Sequence, residues 1–441
     1  MSRAVIASLI AFSLAVGSAQ ASASAITAGA VAPTDPSPWR ADFSDPVLAD
    51  LLRRADLESL DIRMALARLA RARAEVDLAR AAHAPHLDIG GEAALGGESF
   101  SSSRGGAGAP VAASYELDVF GRLARAVDAA KADQQAVAQD VTGARLLVGA
   151  EVTRAYLDLR AAQAARSQSS RQSELSLRSR ALVAQRRAEG RATAAEMAEA
   201  ESAAAEAAGE LQGADLAVTR QLIRLGQLLG QPKPLSEPPA PEGAWPATPQ
   251  LAALPSDVIL RRPDILAAAA RLTAADARHA EAVAATRPRF TLTAAFGSGD
   301  PSLLYLLDVR ALAWAVAGGI THSLLDGGAA KARVRAADAE TQLADLAYRK
   351  TVAQAWGEAR IGLGQLSQAA AAEQRADAVL DNARRALAVS EERHRAGLAD
   401  GLSLIAAQQN LERATARVAQ ARAAGGQAYV DLVLACGGEV S

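Results

Sequence analysis

The sequence predicts an α+β membrane protein that contains an internal duplication, with four β-strands and two long helical hairpins in one chain. Three observations lead to this fold class: landmarks that recur at a constant spacing, two long stretches without proline, and short segments of alternating polarity ahead of each stretch. A chain that repeats one order of parts builds the same supersecondary unit twice, so each unit can be predicted from both copies.

The repeat is visible in the spacing of its landmarks. Pro85 recurs as Pro288, 203 residues on, whereas Gly121 recurs as Gly328, 207 residues on, and this spacing then holds to the end of both copies. The single change of four residues indicates a difference in loop length. We therefore divide the chain into a signal peptide, a leader with a helix, a first repeat, a proline-rich crossover, a second repeat and a tail, at residues 1–25, 26–84, 85–230, 231–263, 264–437 and 438–441.

The N-terminus predicts secretion. Arg3 precedes a mostly apolar run at residues 4–16, and small residues typical of a cleavage site follow in AQA at 19–21 and ASA at 23–25. The run is too short for a transmembrane anchor, which needs about 20 residues. Because no cysteine lies near this site, we expect no lipid anchor on cysteine.

The composition favours extended helical packing. Apolar residues make up 50% of the chain while aromatic residues make up only 3%, and alanine accounts for the difference. Small side chains let helices approach closely. The net charge of -2 argues against a nucleic-acid partner. After the signal, no apolar run reaches the roughly 18 residues of a membrane-spanning helix, so any insertion into a membrane must use strands.

Each proline-free stretch predicts a helical hairpin. Residues 121–229 and 328–436 contain no proline, are rich in strong helix formers, and have one internal break each, at Gly190 and Gly397. The first arm of each hairpin would be about 100 Å long at 1.5 Å per residue. Arms of this length do not fit inside a compact globule.

Apolar residues three and four apart on the second arm of the first hairpin predict a coiled-coil contact line, at Leu211, Ala214, Val218, Leu222, Leu225 and Leu229. The equivalent positions of the second copy are Val418, Ala421, Gly425, Tyr429, Leu432 and Cys436. The only cysteine therefore lies on the contact line, and we expect a packed thiol and not a reactive or metal-binding one.

Two segments ahead of each hairpin alternate in polarity with the period of a strand. They are residues 86–97 and 111–120 in the first copy, and residues 290–296 and 312–323 in the second. Their lengths are close to the 9–11 residues of a tilted transmembrane strand. The alternation alone fits a soluble β-hairpin equally well. The aromatic residues favour a membrane interface, because seven of the 15 lie in or beside these segments: Phe100, Tyr115, Phe120, Phe290, Phe296, Tyr305 and Trp314.

The remaining parts limit what one chain can form. Residues 231–263 hold nine of the 17 prolines, which predicts a crossover without regular secondary structure. Four strands cannot close into a transmembrane barrel, because at least about eight are needed to leave no edge exposed to lipid. Several copies of the chain must therefore share one barrel.

Several motifs together resemble those of TolC-like outer membrane efflux proteins, in the NodT/OprM branch. They are LPSD at 254–257, RRPDI at 261–265, YELDVFG at 115–121, LDGG at 325–328, EVTRAY at 151–156 and FSDPVL at 43–48. The resemblance covers the chain from about Trp39 to the end, and its motifs are specific in combination.

The resemblance implies a homotrimer in which a twelve-stranded β-barrel crosses the outer membrane and a long α-helical barrel crosses the periplasm. It also implies contact with outer membrane lipid and two partners, a periplasmic adaptor and an inner-membrane RND-type transporter. The chain would be their passive exit duct for small molecules. Two alternatives stay open: protein export with an ABC-type pump, and a secreted soluble coiled-coil scaffold.

No motif in the sequence carries catalytic chemistry. The five histidines are scattered, and no cysteine or carboxylate cluster has metal-ligand spacing. The glycine pair at 327–328 fits a strand-to-helix turn better than a nucleotide loop. We expect no enzyme activity, no cofactor and no metal.

In the resembled family, the ends of the helical hairpins form the periplasmic entrance and contact the adaptor. In this chain these ends are residues 189–193 and 394–403, called the tips below. The resemblance carries this role to Gly190, Arg191, Thr193, Gly397, Leu398 and Ser403. An ordinary turn between two helices, capped by glycine, is expected at the same residues, and we favour tips that are both.

The resemblance also implies a gate near the second tip, at His394, Leu398 and Leu402. Relatives carry an aspartate and an arginine just past this tip, in a Leu-Asp-Ala-Gln-Arg run. This chain reads IAAQQ at 405–409, so both charges are missing. We expect a gate closed by apolar contacts, or a looser one.

Four acids lie in or near the first two strand segments: Asp88, Glu92, Glu116 and Asp118. If they face the lumen, they make the channel wall negative and favour cations. A role as solvated residues without influence on selectivity is equally open.

Overall fold

The computed structural model describes residues 38–89, 92–93, 107–108, 111–238, 256–298 and 312–438. The signal peptide, most of the leader and crossover, Phe100, Tyr305 and residues 439–441 lie outside the described residues. After a 3-10 turn at Pro38–Phe43, the first half contains α1 Pro46–Glu58, α2 Leu60–Ala81, β1 His86–Ile89, β2 Glu92–Ala93, β3 Ala107–Gly108, β4 Val111–Leu117, α3 Arg122–Ala188 and α4 Ala194–Leu228. The second half contains α5 Ser256–Leu260, α6 Pro263–Ala284, β5 Arg289–Ser298, β6 Leu312–Thr321, α7 Ala329–Arg395 and α8 Gly401–Ala435.

The two halves match element by element. The first hairpin arms α3 and α7 both have 67 residues, and the second arms α4 and α8 both have 35. The predicted hairpins are confirmed. The helices α2 and α6 also match, with 22 residues each. The repeating unit therefore includes an opening helix, which for the first copy lies in the part assigned to the leader.

The structure differs from the sequence expectation in several places. The predicted strand 86–97 contains two short strands, β1 and β2, that pair in different sheets, and β6 ends at Thr321 and not at Ser323. The helix α5 lies inside the proline-rich crossover, so the expectation of no regular structure was wrong there. Strand β4 ends at Leu117 and not at Phe120, because the side chain of Asp118 already accepts hydrogen bonds from the first turn of α3. The strand thus ends three residues earlier than the alternating pattern suggests, while the helix begins at Arg122.

The strands form one antiparallel sheet in the order β1-β4-β5-β6, with β2 and β3 paired separately. The helices pack in the order α4, α3, α8 and α7, and α2 and α6 both contact α3. In one protomer, α4 and α7 are therefore the edges of the helical layer, as β1 and β6 are the edges of the sheet.

The core lies where the N-terminal segment crosses the long helices. Trp39 and Phe43 are buried, and the ring of Phe43 contacts that of Tyr429 edge to face at 5.8 Å between centroids. The predicted contact lines are confirmed, since Val418, Tyr429 and Cys436 are all buried. Burial raises the pKa of the Cys436 thiol, which keeps it protonated and unreactive.

Among the helices of the described residues, none combines the length and the apolar character that crossing a membrane requires.

Candidate functional site

The pairing register gives the sheet two different faces. Leu87 is opposite Ala113, which is opposite Ala294, which is opposite Val316, so one row crosses all four strands. Adjacent residues of a strand point to opposite faces. The next row therefore lies on the other face and consists of Asp88, Ala112, Ala295 and Ala315.

The face that carries Leu87 is apolar and exposed. Leu87, Ile89, Trp314, Val316 and Ile320 are each at least 60% exposed in the protomer. The opposite face carries mainly alanine, serine, threonine and glycine. Transmembrane strands alternate apolar residues toward lipid with small or polar residues toward the interior. The sheet thus has the composition of a membrane wall with an inward polar side.

The acids proposed for the lumen have different surroundings where the structure describes their side chains. Glu116 forms a two-point ion pair with Arg122, at 3.0 and 2.8 Å. Asp118 caps α3 and lies 3.4 Å from His83. Asp88 is exposed on β1, and the side chain of Glu92 lies outside the described set. Two of the four acids therefore stabilise the junction between strand and helix.

The two tips share one backbone geometry. Gly190 and Gly397 both have φ of +74°, a left-handed conformation that favours glycine. The amide of Arg191 donates to the carbonyl of the residue five positions earlier at 2.7 Å, and the amide of Leu398 does the same at 2.8 Å. These are the bonds of a glycine-capped helix end, so the expected turn is confirmed.

Different side chains begin the helices that leave the tips. Thr193 and Glu196 form a reciprocal capping box at the start of α4. At the start of α8, Asp400 accepts from the Ser403 amide at 2.8 Å and from its hydroxyl at 2.6 Å. Thr193 and Ser403, both predicted as contact residues, thus have a structural role in the tips.

Asp400 also joins the two hairpins, which the sequence did not predict. Its carboxylate lies 2.8 Å from the guanidinium of Arg186 at the end of α3. The hydroxyl of Ser403, the Arg186 guanidinium and the Ser403 amide together hold the pKa of Asp400 well below its usual range. An aspartate directly before the first residue of a helix is a known helix-start signal, so Asp400 could have been found. No local pattern indicates Arg186.

The predicted gate residues have different surroundings. Leu398 is 72% exposed, whereas Leu402 is half-buried. The ring Nδ1 of His394 lies 3.0 Å from the carbonyl oxygen of Ala399, so the His394 side chain stabilises the turn in which it lies. Within one protomer, Leu398 is the gate candidate with a surface available to another chain. Arg191 is its counterpart in the first tip, 76% exposed and 3.2 Å from Glu189.

In the described part of the chain, no three histidine, cysteine, aspartate or glutamate side chains come together in a group that could hold a metal ion.

Comparison with known proteins gives the family. The sequence model described as "Outer membrane efflux protein" matches residues 51–231 and 254–438. The chain is 32% identical to the outer membrane protein OprJ of Pseudomonas aeruginosa, over 84% of this chain and 80% of OprJ. It is 30% identical to the pyoverdine export outer membrane protein OpmQ of Pseudomonas putida, over 91% of this chain and 87% of OpmQ.

The fold leads to the same family. The solved structure of the outer-membrane channel OprN superposes with a TM-score of 0.80 at 26% identity, over 92% of this chain and 93% of OprN. The matches include both copies of the repeat and the amphipathic sheet. This chain therefore belongs to the outer membrane efflux protein family.

Proposed function

We propose that this outer membrane efflux channel is the passive exit duct of a tripartite pump. One observation carries the proposal: a sheet with an exposed apolar face continues directly into helices of 67 residues, which are about 100 Å long. Such a protomer joins an outer membrane at one end to the periplasm at the other. Three copies supply the twelve strands of one barrel and the helices of one periplasmic tube.

The chain's partners supply energy and select the substrate. These partners are a periplasmic adaptor and an inner-membrane RND-type transporter, and the transported molecules are small. The chain itself has no enzymatic activity in this proposal. Its residues 1–25 act as a cleaved signal peptide that directs it to the cell envelope.

The tips are the proposed entrance and adaptor contact. Leu398 and Arg191 occupy equivalent positions after the two glycines, and both side chains are more than 70% exposed. Leu398 and the half-buried Leu402 close the entrance by apolar contact, in place of the aspartate and arginine that relatives carry just past this tip. A looser entrance is the alternative, and it predicts a larger resting conductance than that of relatives with a charged gate.

The proposal is tested in a strain that lacks the gene. Loss of the chain should lower resistance to exported compounds, and the wild-type gene should restore it. Crosslinking in cells followed by purification should recover an adaptor and an RND-type transporter. Recovery of an ABC-type pump would instead support protein export, and recovery of the chain from the periplasm without detergent would support a soluble scaffold.

A further inference from the structure

Two helix faces near the tips have no partner among the described residues of the protomer. The helix α4 buries Ala204, Ala207 and Val218 toward α3, and α7 buries Leu380 toward α8. The opposite faces of both helices are exposed along the last 25 residues before or after the tips. Because α4 and α7 are the two edges of the helical layer, any closed ring of copies must bring these faces together.

The free face of α4 carries acidic residues and residues with small side chains. The helix has no lysine or arginine before Arg220, while its acids are Glu196, Glu199, Glu201, Glu206, Glu210 and Asp215. In the heptad set by the buried positions, Ser202 and Gly209 lie opposite the contact with α3, and Glu199 and Glu206 lie beside them on the exposed side. Within the described residues, Glu199 and Glu206 form no ion pair.

The free face of α7 carries arginines and a larger apolar residue. Opposite its contact with α8 lie Arg375, Asn382, Arg385 and Val389, all exposed. Arg375 donates to a carbonyl of its own helix at 3.1 Å, and Arg385 donates to Asn382 at 2.7 Å. In the described part of the protomer, neither guanidinium has a carboxylate partner.

The acids of α7 nearest in sequence to these arginines already have partners. Glu373 and Asp377 turn toward α8, where both pair with Arg422 at 3.1 and 3.5 Å. Asp381 pairs with Arg384 at 3.2 Å. The free face of α7 above its last turn therefore has an excess of positive charge that matches the negative charge of α4.

We infer that α4 of one copy packs antiparallel against α7 of the next copy, with Glu206 paired to Arg385. The tips lie level because α3 and α7 have equal length, and rotation about a ring axis causes no axial shift. Glu206 lies about 18 Å above the tip along α4, and Arg385 lies about 15 Å above it along α7. Glu210 and Arg375 follow at about 24 and 30 Å, within reach of long side chains.

The small residues of α4 complete the fit, since Gly209 and Ser202 leave room for Val389 and the arginine stems of the neighbour. This contact rests on the proposed assembly of copies into one duct, and it gives that assembly a specific electrostatic contact just above the entrance. A second copy of this chain is thus the partner of both faces.

Paired cysteines test the contact. The full-length protein in cells carries Glu206→Cys together with Arg385→Cys. Under mild oxidant it should form disulfide-linked dimers and trimers, and no larger species. Each single variant should give none. Lys331→Cys with Glu206→Cys is the matched control, because Lys331 is exposed on the same α7 but lies about 96 Å from the tip. Disulfide-linked dimers and trimers in equal amount in this control, or crosslinking only to a different protein, overturn the inference.

Exchanging the charges of Glu206 and Arg385 tests this contact independently of the proposed function. Glu206→Arg and Arg385→Glu should each increase, at least threefold, the fraction of monomer after mild heating in detergent. The double exchange should restore the wild-type fraction. If both single variants keep a wild-type trimer, the contact is wrong while the duct stands. If the wild-type chain forms no membrane oligomer, the proposed function itself fails.

Discussion

The guanidinium of Arg186 lies 2.8 Å from the carboxylate of Asp400, although the two residues are 214 positions apart and belong to different copies of the repeat. The leucine side chain of α3 packs against the start of α8 beside this ion pair, since a Cβ added to Gly401 would lie 3.1 Å from the Leu182 side chain. The ion pair therefore joins the two hairpins of one protomer at their tips. Opening the duct by separating the hairpins would break it.

Removing the arginine should loosen the entrance. Half-exposed ion pairs contribute up to about 1 kcal/mol, so Arg186→Ala should increase the open population up to about fivefold. The measurement is single-channel conductance in planar bilayers, together with hydrogen exchange at residues 396–404. Arg187→Ala is the matched control, since Arg187 is exposed and has no ion pair among the described residues. Equal conductance in both variants would show that the ion pair does not hold the tips.

The same contact should resist moderate acid. Because the folded-state pKa of Asp400 is lowered, its contribution to stability is complete above the unfolded-state pKa of about 3.9 and is lost as pH falls through the folded value. Protection of the tip amides should thus be unchanged between pH 7 and pH 5. Asp400→Asn should remove the ion pair at every pH, and a wild-type change already at pH 6 would contradict the assignment.

The long elements could be predicted because local sequence determines them. An unbroken helix needs helix formers and no proline, and the αL turn at Gly190 needs glycine, so the hairpin lengths follow from the chain alone. The end of β4 could not be predicted in this way. The alternation continues through Val119, but hydrogen bonds from α3 to Asp118 decide where the strand stops.

The candidate sites were predictable only in part. The position of the tips could be predicted from the repeat. The ion pair between Arg186 and Asp400 depends on how the two hairpins pack, and the sequence pattern within either hairpin does not indicate it. From alternation alone Glu116 and Asp118 could be lumen residues or solvated ones, and their partners Arg122 and His83 were not part of either prediction. Contacts between distant elements were thus the missing information.

Leu398 should be needed for export and not for assembly. Because its side chain is 72% exposed, Leu398→Asp should leave folding intact. A charge at this apex would disfavour an apolar partner surface and abolish efflux. Resistance in cells measures export, and native electrophoresis measures the trimer. Leu398→Met keeps the apolar contact and should export normally; export by the aspartate variant would remove Leu398 from the contact surface.

The hydroxyl of Tyr156 should stabilise the N-terminal segment. It donates to Asp45 at 2.6 Å, and Asp45 in turn caps α1. A buried bond to a charged group contributes about 1.5–3 kcal/mol, so Tyr156→Phe should lower the free energy of unfolding by that amount. Thermal unfolding in detergent measures it. Tyr348→Phe is the control, because the Tyr348 hydroxyl has no hydrogen bond in the described part; equal losses would discount the Asp45 bond.

An arginine introduced on the apolar face of the sheet should impair membrane insertion more than one introduced on the opposite face. Val316 and Ala317 are adjacent on β6, and the register places Val316 in the apolar row with Leu87 and Ala317 on the opposite face. An arginine that faces lipid near the bilayer centre costs about 2–4 kcal/mol, whereas one that faces the interior costs far less. Val316→Arg should therefore reduce insertion into lipid vesicles and the amount found in the outer membrane. Ala317→Arg, which adds the same charge one residue away, should insert nearly as well as the wild type, and the reverse order would mean that the apolar row faces the interior.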